Sequence, residues 1–174
     1  DTVDEKNVYH IEIYSDSEDN PVLNKQLWDV AEKIYNTTLY PILKHKLLKH
    51  AFLRNFHIDW VFIRKYNKYY REDLSIHTDE NAITINILLS NTNDFTGGQF
   101  YIFDRKTSKK YMNYYETVLE EDENKKREFI NSFDTLPIAD LKQGDSIFYS
   151  GSTHLHGVLP MKSGTRYIIS YFLN

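Results

Sequence analysis

Residues 77–90 read His77-Thr78-Asp79-Glu80-Asn81-Ala82-Ile83-Thr84-Ile85-Asn86-Ile87-Leu88-Leu89-Ser90. The part from 82 to 90 is rich in β-branched residues and is predicted as a strand. The part before it carries chemistry. In an extended segment the side chains at i and i+2 leave the backbone on one face, so His77 and Asp79 can reach a single point. Far down the chain, His154-Leu155-His156-Gly157 follows another predicted strand and turn, 146–152. One imidazole, one carboxylate and a second imidazole from a distant strand form a 2-His-1-carboxylate set. Such a set holds one face of Fe(II) and leaves the opposite positions open. The tripeptide by itself is common by chance, and a lone histidine is usually structural. Spacing also leaves His154 and His156 in competition, because both lie on the same face of an extended segment.

The feature that follows adds weight. Arg166 opens a predicted strand, 165–173, ten residues after His156. An arginine pointing in among apolar strands is costly unless an anion pairs with it. Its planar fork suits a carboxylate. A small dicarboxylate, anchored at the end remote from the metal, is therefore expected beside the triad, and His156 is the favoured third ligand.

Composition sets outer bounds. The chain has 174 residues, enough for one domain with a real core. Hydrophobic residues make up 41% and aromatic residues 15%, which describes a folded chain rather than a disordered one. The net charge of −4 argues against a nucleic-acid partner. With no cysteine, disulfides, Cys-based zinc sites and cysteine nucleophiles are excluded. No apolar run approaches the roughly 20 residues that span a bilayer. The chain begins at Asp1 without Met, which is expected of a trimmed, processed or partial chain.

Taken in order, the chain predicts a strand at 8–14 and a polar loop at 15–20. An amphipathic helix follows over 21–39, with Asn20 as cap and Pro21 at its first position. Pro41 is predicted to interrupt it, and a second helix with a basic outer face runs over 42–53. Strands are predicted at 58–66, 82–90, 99–104, 146–149 and 165–173. Residues 105–134 break the pattern and read as an inserted helical or partly mobile excursion. The fold class is α+β, mainly β, as a barrel or sandwich with helices on one side.

The joint pattern His77-Thr78-Asp79, Thr84-Ile85-Asn86, Asp94-Phe95-Thr96-Gly97-Gly98, His156-Gly157-Val158-Leu159-Pro160 and Gly164-Thr165-Arg166-Tyr167-Ile168 resembles the 2-oxoglutarate/Fe(II) dioxygenase family. Within it, the chain looks most like the collagen lysyl hydroxylase and prolyl 4-hydroxylase branch. The resemblance covers residues 60–174. It implies a double-stranded β-helix (jelly roll) supported by N-terminal helices. It implies His77, Asp79 and His156 as iron ligands and Arg166 as the holder of the distal carboxylate of 2-oxoglutarate. Tyr66, eleven residues before His77, and Asn86, nine after it, match cosubstrate positions of the lysyl hydroxylase type. Fe(II), 2-oxoglutarate and O2, with ascorbate, are the implied cofactors. The implied partner is a peptide or protein substrate, collagen-like among the options, hydroxylated on lysine in preference to proline. Succinate and carbon dioxide would be the co-products. No nucleic-acid partner and no membrane span are expected.

Three features depart from that pattern. The excursion 105–134 is longer than expected and is placed near the active-site mouth. Phe100 stands where a smaller residue is expected. Glu120-Glu121-Asp122-Glu123 could attract a basic peptide, although most charge runs are solvated faces. Two other classes compete: a zinc hydrolase using the same three ligands, and a non-catalytic cupin-like binding domain. Arg166 weighs against the first, and the intact triad against the second.

Overall fold

Antiparallel pairing dominates the computed structural model, which describes residues 10–47 and 56–174. One sheet has the order β1 (His10–Ser15), β2 (Ile58–Tyr66), β11 (Arg166–Leu173), β4 (Ile83–Leu88), β8 (Ser146–Tyr149), every neighbour antiparallel. A second has the order β3 (Leu74–His77), β9 (His156–Val158), β6 (Phe100–Ile102), β7 (Ile138–Ala139). A ribbon pairs β5 (Phe95–Gly97) with β10 (Met161–Gly164).

Side-chain alternation along the strands explains the layering. On β11, Ile169, Tyr171 and Leu173 pack outward with Ile85 and Ile87 of β4 against Ala31, Tyr35, Leu39 and Leu43. Ile168 points the other way, into a cluster with Tyr66 and Leu88 from its own sheet. Leu74, Phe100, Val158 and Met161 meet them there from the second sheet and the ribbon. β11 is thus buried on both faces, which is why it reads as a nearly continuous apolar run. The site residues lie on the face between the sheets.

The N-terminal helices are α1 (Lys25–Ile34) and α2 (Tyr40–Leu47), joined by one π-helical turn, Tyr35–Leu39. The cap is Asn24, whose side chain accepts from the Leu27 amide at 3.2 Å, not Asn20. Residues 21–23 are held back by β1, through Ser15 N–H to Pro21 O and Leu23 N–H to Ile13 O. Pro41 does not interrupt the helix. Its ring would crowd the carbonyl four residues back. The wide turn just before it re-aims the ladder, with the Tyr40 amide donating to Tyr35 O. The rest of the predicted second helix, 48–53, lies outside the described residues, as does the start of the predicted strand at 8–9.

The stretch 105–134 is helical: α3 (Arg105–Tyr114), a π-helical turn Tyr115–Leu119, and α4 (Glu123–Asn131). Tyr115, Leu119 and Ile130 pack on Ile76, Tyr101, Phe103 and Leu155, on the outer face of the second sheet. Helices therefore cover both outer faces rather than one, and the excursion stands behind the second sheet. Asp104 caps α3, accepting from the Thr107 amide at 2.7 Å, and so ends the predicted strand 99–104 early. The acidic run is spent locally. Asp122 caps α4 through the Asn124 and Lys125 amides, and Glu123 bonds to Ser75 and to the buried Lys126.

Candidate metal centre and anion pocket

His77 reaches the space between the sheets because β3 is bulged. Leu74 is opposite Val158 and His77 opposite His156, three steps against two. Leu74 joins the inter-sheet cluster and Ile76 the outer one. In a regular strand Leu74 and His77, an odd number of residues apart, would face opposite ways. The bulge restores His77 to the inner face. His156 is its cross-strand partner, and the two rings stand 4.2 Å apart.

Asp79 follows the end of β3. Its amide donates to Gly151 O at 3.1 Å, which ties it to the turn after β8. A Cβ on Gly151 would stand 2.8 Å from Asp79 Cβ, so this close approach requires glycine. Thr84 Oγ1 donates to Asp79 Oδ2 at 2.6 Å and sets the carboxylate plane. His77 Nε2 then lies 3.4 Å from Oδ1 and His156 Nε2 3.4 Å from Oδ2. In both rings Nδ1 faces a backbone carbonyl two residues back, Ser75 O and His154 O, at 2.8 Å. Each Nδ1–H donates there, which leaves each Nε2 with a lone pair aimed at one point.

Metal–ligand bonds of about 2.1 Å at right angles place donor atoms about 3 Å apart, close to the separations found here. Charge also fits. Burial pushes His77 down, with His156 adding to it, so His77 is neutral. Burial pushes the Asp79 carboxyl up, but the His156 and His77 imidazoles outweigh it and hold the group well below the usual carboxylate range. A neutral imidazole at His77 and an ionised carboxylate at Asp79 are protonation states a divalent metal needs. His154 does not join them; its Nδ1 faces Ser150 O at 3.1 Å. A second H-x-D, His57-Ile58-Asp59, stays near the surface and gains only Asp16, a carboxylate, as its third member.

Arg166 is 3% exposed and lies on the same inner face, opposite Tyr66 across β2 and β11. Its guanidinium sits over the Tyr66 ring at 5.3 Å. Arg166 Nη1 and the Tyr66 hydroxyl are both buried without a hydrogen-bond partner among the described residues. Burial lowers the arginine's pKa from its ordinary value. A buried cation beside an unused hydroxyl is a site that a carboxylate would complete.

Asn86, expected beside the cosubstrate, has both amide atoms engaged. Its Oδ1 accepts from Ser170 Oγ at 2.6 Å and its Nδ2 donates to the Tyr149 hydroxyl at 3.0 Å. Tyr149 was not singled out from sequence, yet its hydroxyl lies 3.2 Å from His156 Nε2. Its ring and that of Phe100 stand 4.8 and 5.6 Å from the His156 ring. Phe100 therefore walls the metal site. Thr84 and Ser170 were likewise given no role. The available signal was parity: Thr84 with Asn86, Ile147 with Tyr149, and Arg166 with Ser170 each share a strand face.

The excursion touches each segment that carries a triad residue from behind. Glu123 bonds to Ser75, the Tyr115 phenol hydrogen-bonds to the backbone of Thr78, and Ser108 Oγ accepts from the Leu155 amide at 3.0 Å. At Gly157 a Cβ would stand 2.3 Å from the Tyr101 hydroxyl, so the chain beyond His156 packs flat on β6 only as glycine.

No protein-family model matches the chain, and no curated protein matches its sequence. Solved structures match its fold. A 2OG-Fe(II) oxygenase family oxidoreductase from Burkholderia pseudomallei superposes with a TM-score of 0.64 at 14% identity, over 96% of this chain and 66% of that one. A viral collagen prolyl hydroxylase from Paramecium bursaria Chlorella virus-1 gives 0.53 at 16% identity, over 97% and 78%. A Pseudomonas putida prolyl-4-hydroxylase gives 0.51 at 12% identity, over 97% and 70%. At these identities the likeness is one of fold: the chain has the architecture of 2OG-Fe(II) oxygenases and prolyl hydroxylases. It spans 66% of the length of the Burkholderia protein.

Proposed function

We propose that this chain is an Fe(II)- and 2-oxoglutarate-dependent oxygenase that hydroxylates a side chain of a peptide or protein. One observation carries the reading. Two imidazole Nε2 lone pairs face one carboxylate, on the same inter-sheet face as a buried guanidinium and phenol that lack partners. In this reading the facing sheets are a double-stranded β-helix, and residues 105–134 are an insertion on the back of a single catalytic domain.

His77, Asp79 and His156 hold the metal; Arg166 and Tyr66 receive the distal carboxylate of 2-oxoglutarate. When bound, Fe(II) with 2-oxoglutarate and O2 supplies the oxidising chemistry that puts one oxygen atom into a C–H bond while the 2-oxo acid becomes succinate and carbon dioxide. The chain does the rest. Thr84 orients Asp79, the carbonyls of Ser75 and His154 fix both tautomers, and Phe100 and Tyr149 exclude water around His156.

Lysine and proline are the two candidate target residues. The Tyr66 and Asn86 spacings support lysine. The solved prolyl hydroxylases that share the fold support proline. The test is succinate formation from 2-oxoglutarate with Fe(II) and ascorbate, on collagen-like peptides carrying one target or the other. A mass gain of one oxygen atom on lysine or proline identifies the target. Absence of turnover with every peptide, together with no metal binding, would remove the reading.

A further inference from the structure

The chain Ser170–Asn86–Tyr149–His156 has a fixed direction. Ser170 Oγ donates to Asn86 Oδ1, and Asn86 Nδ2 donates to the Tyr149 oxygen. His156 Nδ1–H is already given to His154 O, so His156 Nε2 is an acceptor. The Tyr149 hydroxyl therefore donates to Nε2, at 3.2 Å. That lone pair is the one a metal would take. Once it is taken, the buried hydroxyl proton has to turn to an oxygen instead.

We infer that Tyr149 is a positioning residue that caps the His156 ligand atom in the metal-free protein and donates to a 2-oxo acid once the metal is in place. The inference rests on the proposed function and deepens it by naming the donor that greets the cosubstrate. Two features place the phenol for this. Its ring is held by Phe100 at 5.7 Å, so the hydroxyl swings over a short arc. Its oxygen already accepts from Asn86 Nδ2 at 3.0 Å, so the hydroxyl proton is free to be given to a further acceptor. Two side chains of the site, Asp79 and Thr84, are also within hydrogen-bond reach of the hydroxyl, and the test separates them from the cosubstrate.

The experiment titrates wild type and Tyr149→Phe with Co(II), then titrates the Co(II)-loaded proteins with 2-oxoglutarate, both by calorimetry. The substitution keeps the ring and its packing. Losing the cap leaves the metal-free state with an unsatisfied imidazole nitrogen, so Co(II) is expected to bind about fivefold tighter. Losing the donor is expected to weaken 2-oxoglutarate about tenfold. The opposite signs are the signature, because loosened packing would weaken both. Phe100→Leu, which disturbs the same wall without removing a polar atom, is expected to shift both constants in one direction. Unchanged constants in Tyr149→Phe, both weakened, or tighter Co(II) with unchanged 2-oxoglutarate would each overturn the inference; the last would assign the proton to Asp79 or Thr84. Wild-type protein that binds neither Co(II) nor 2-oxoglutarate overturns the underlying function as well, and shows it before any variant is made.

Discussion

The hydroxyl of Ser108, in α3, accepts the backbone N–H of Leu155 at 3.0 Å, one residue before His156. It also donates to Phe103 O at 3.2 Å and is fully buried. One side chain thus fastens the helical excursion to the segment that carries His156. Ser108→Ala leaves a buried N–H and a buried carbonyl unsatisfied. The expected loss is about 1–3 kcal/mol of stability. Metal affinity should fall about tenfold with it. Urea unfolding and a Co(II) titration check the two effects, and an unchanged Co(II) affinity would show that the excursion only packs.

The three-ligand assignment is tested by contrast. His77→Ala, Asp79→Ala and His156→Ala are each expected to abolish Fe(II) binding and turnover, because each removes a donor from a set of three. His154→Ala is expected to retain both, since its ring faces Ser150 O rather than the triad. Wild-type Fe(II) binding in any of the first three variants would sink the assignment.

Arg166 separates affinity from stability. Arg166→Ala should weaken 2-oxoglutarate by about a hundredfold while metal binding stays largely intact. Arg166→Met fills similar volume without a buried, incompletely paired charge. It is expected to unfold at a higher temperature than wild type in the absence of cosubstrate. A lower unfolding temperature in differential scanning calorimetry would mean that the guanidinium is already satisfied.

Gly157→Ala places a Cβ 2.3 Å from the Tyr101 hydroxyl and 2.6 Å from Leu74 O, and the second neighbour is backbone that cannot turn aside. Strain of about 2–3 kcal/mol is expected. The shift falls on the residue beside His156, so Co(II) affinity should drop as well. Thermal unfolding and the Co(II) titration read both.

High pH should destabilise the fold. Burial, helped by Glu120 and Glu123, pushes the Tyr115 phenol up to about 12, and burial raises Tyr101 and Tyr171 too. Unfolded phenols ionise near pH 10. Above that pH the unfolded chain binds fewer protons than the folded one, so stability falls as pH rises. Urea midpoints measured from neutral pH to about pH 11 should decline, and Tyr115→Phe should flatten the slope. A slope unchanged in the variant would exclude Tyr115 from the effect.

Local chemistry made several things legible in the sequence. Period-two alternation and β-branched runs marked β2, β4 and β11, because long strands buried on one or both faces carry their pattern with them, and the shorter β6 and β8 were marked as 99–104 and 146–149. The amphipathic stretch after residue 21 marked the first helix. His77, Asp79 and Arg166 stood out by residue type and spacing. The other strands of two to four residues, β3, β5, β7, β9 and β10, went unread, since so short a piece carries little period and depends on its partner.

Tertiary structure decided what spacing could not. The sequence contains two H-x-D tripeptides, and among the described residues only the one before β4 meets an imidazole from another strand. A bulge, invisible in residue type, turns His77 inward and makes it the cross-strand partner of His156 rather than His154. The excursion 105–134, expected near the active-site mouth, stands behind the second sheet, because its apolar residues found Ile76, Tyr101 and Leu155 on that outer face. Tyr149 entered the site for the same reason: β8 pairs with β4, which sets its hydroxyl between Asn86 and His156. Residue types determined which chemistry was available, and long-range pairing determined which of those residues meet, because register is set between strands and not within them.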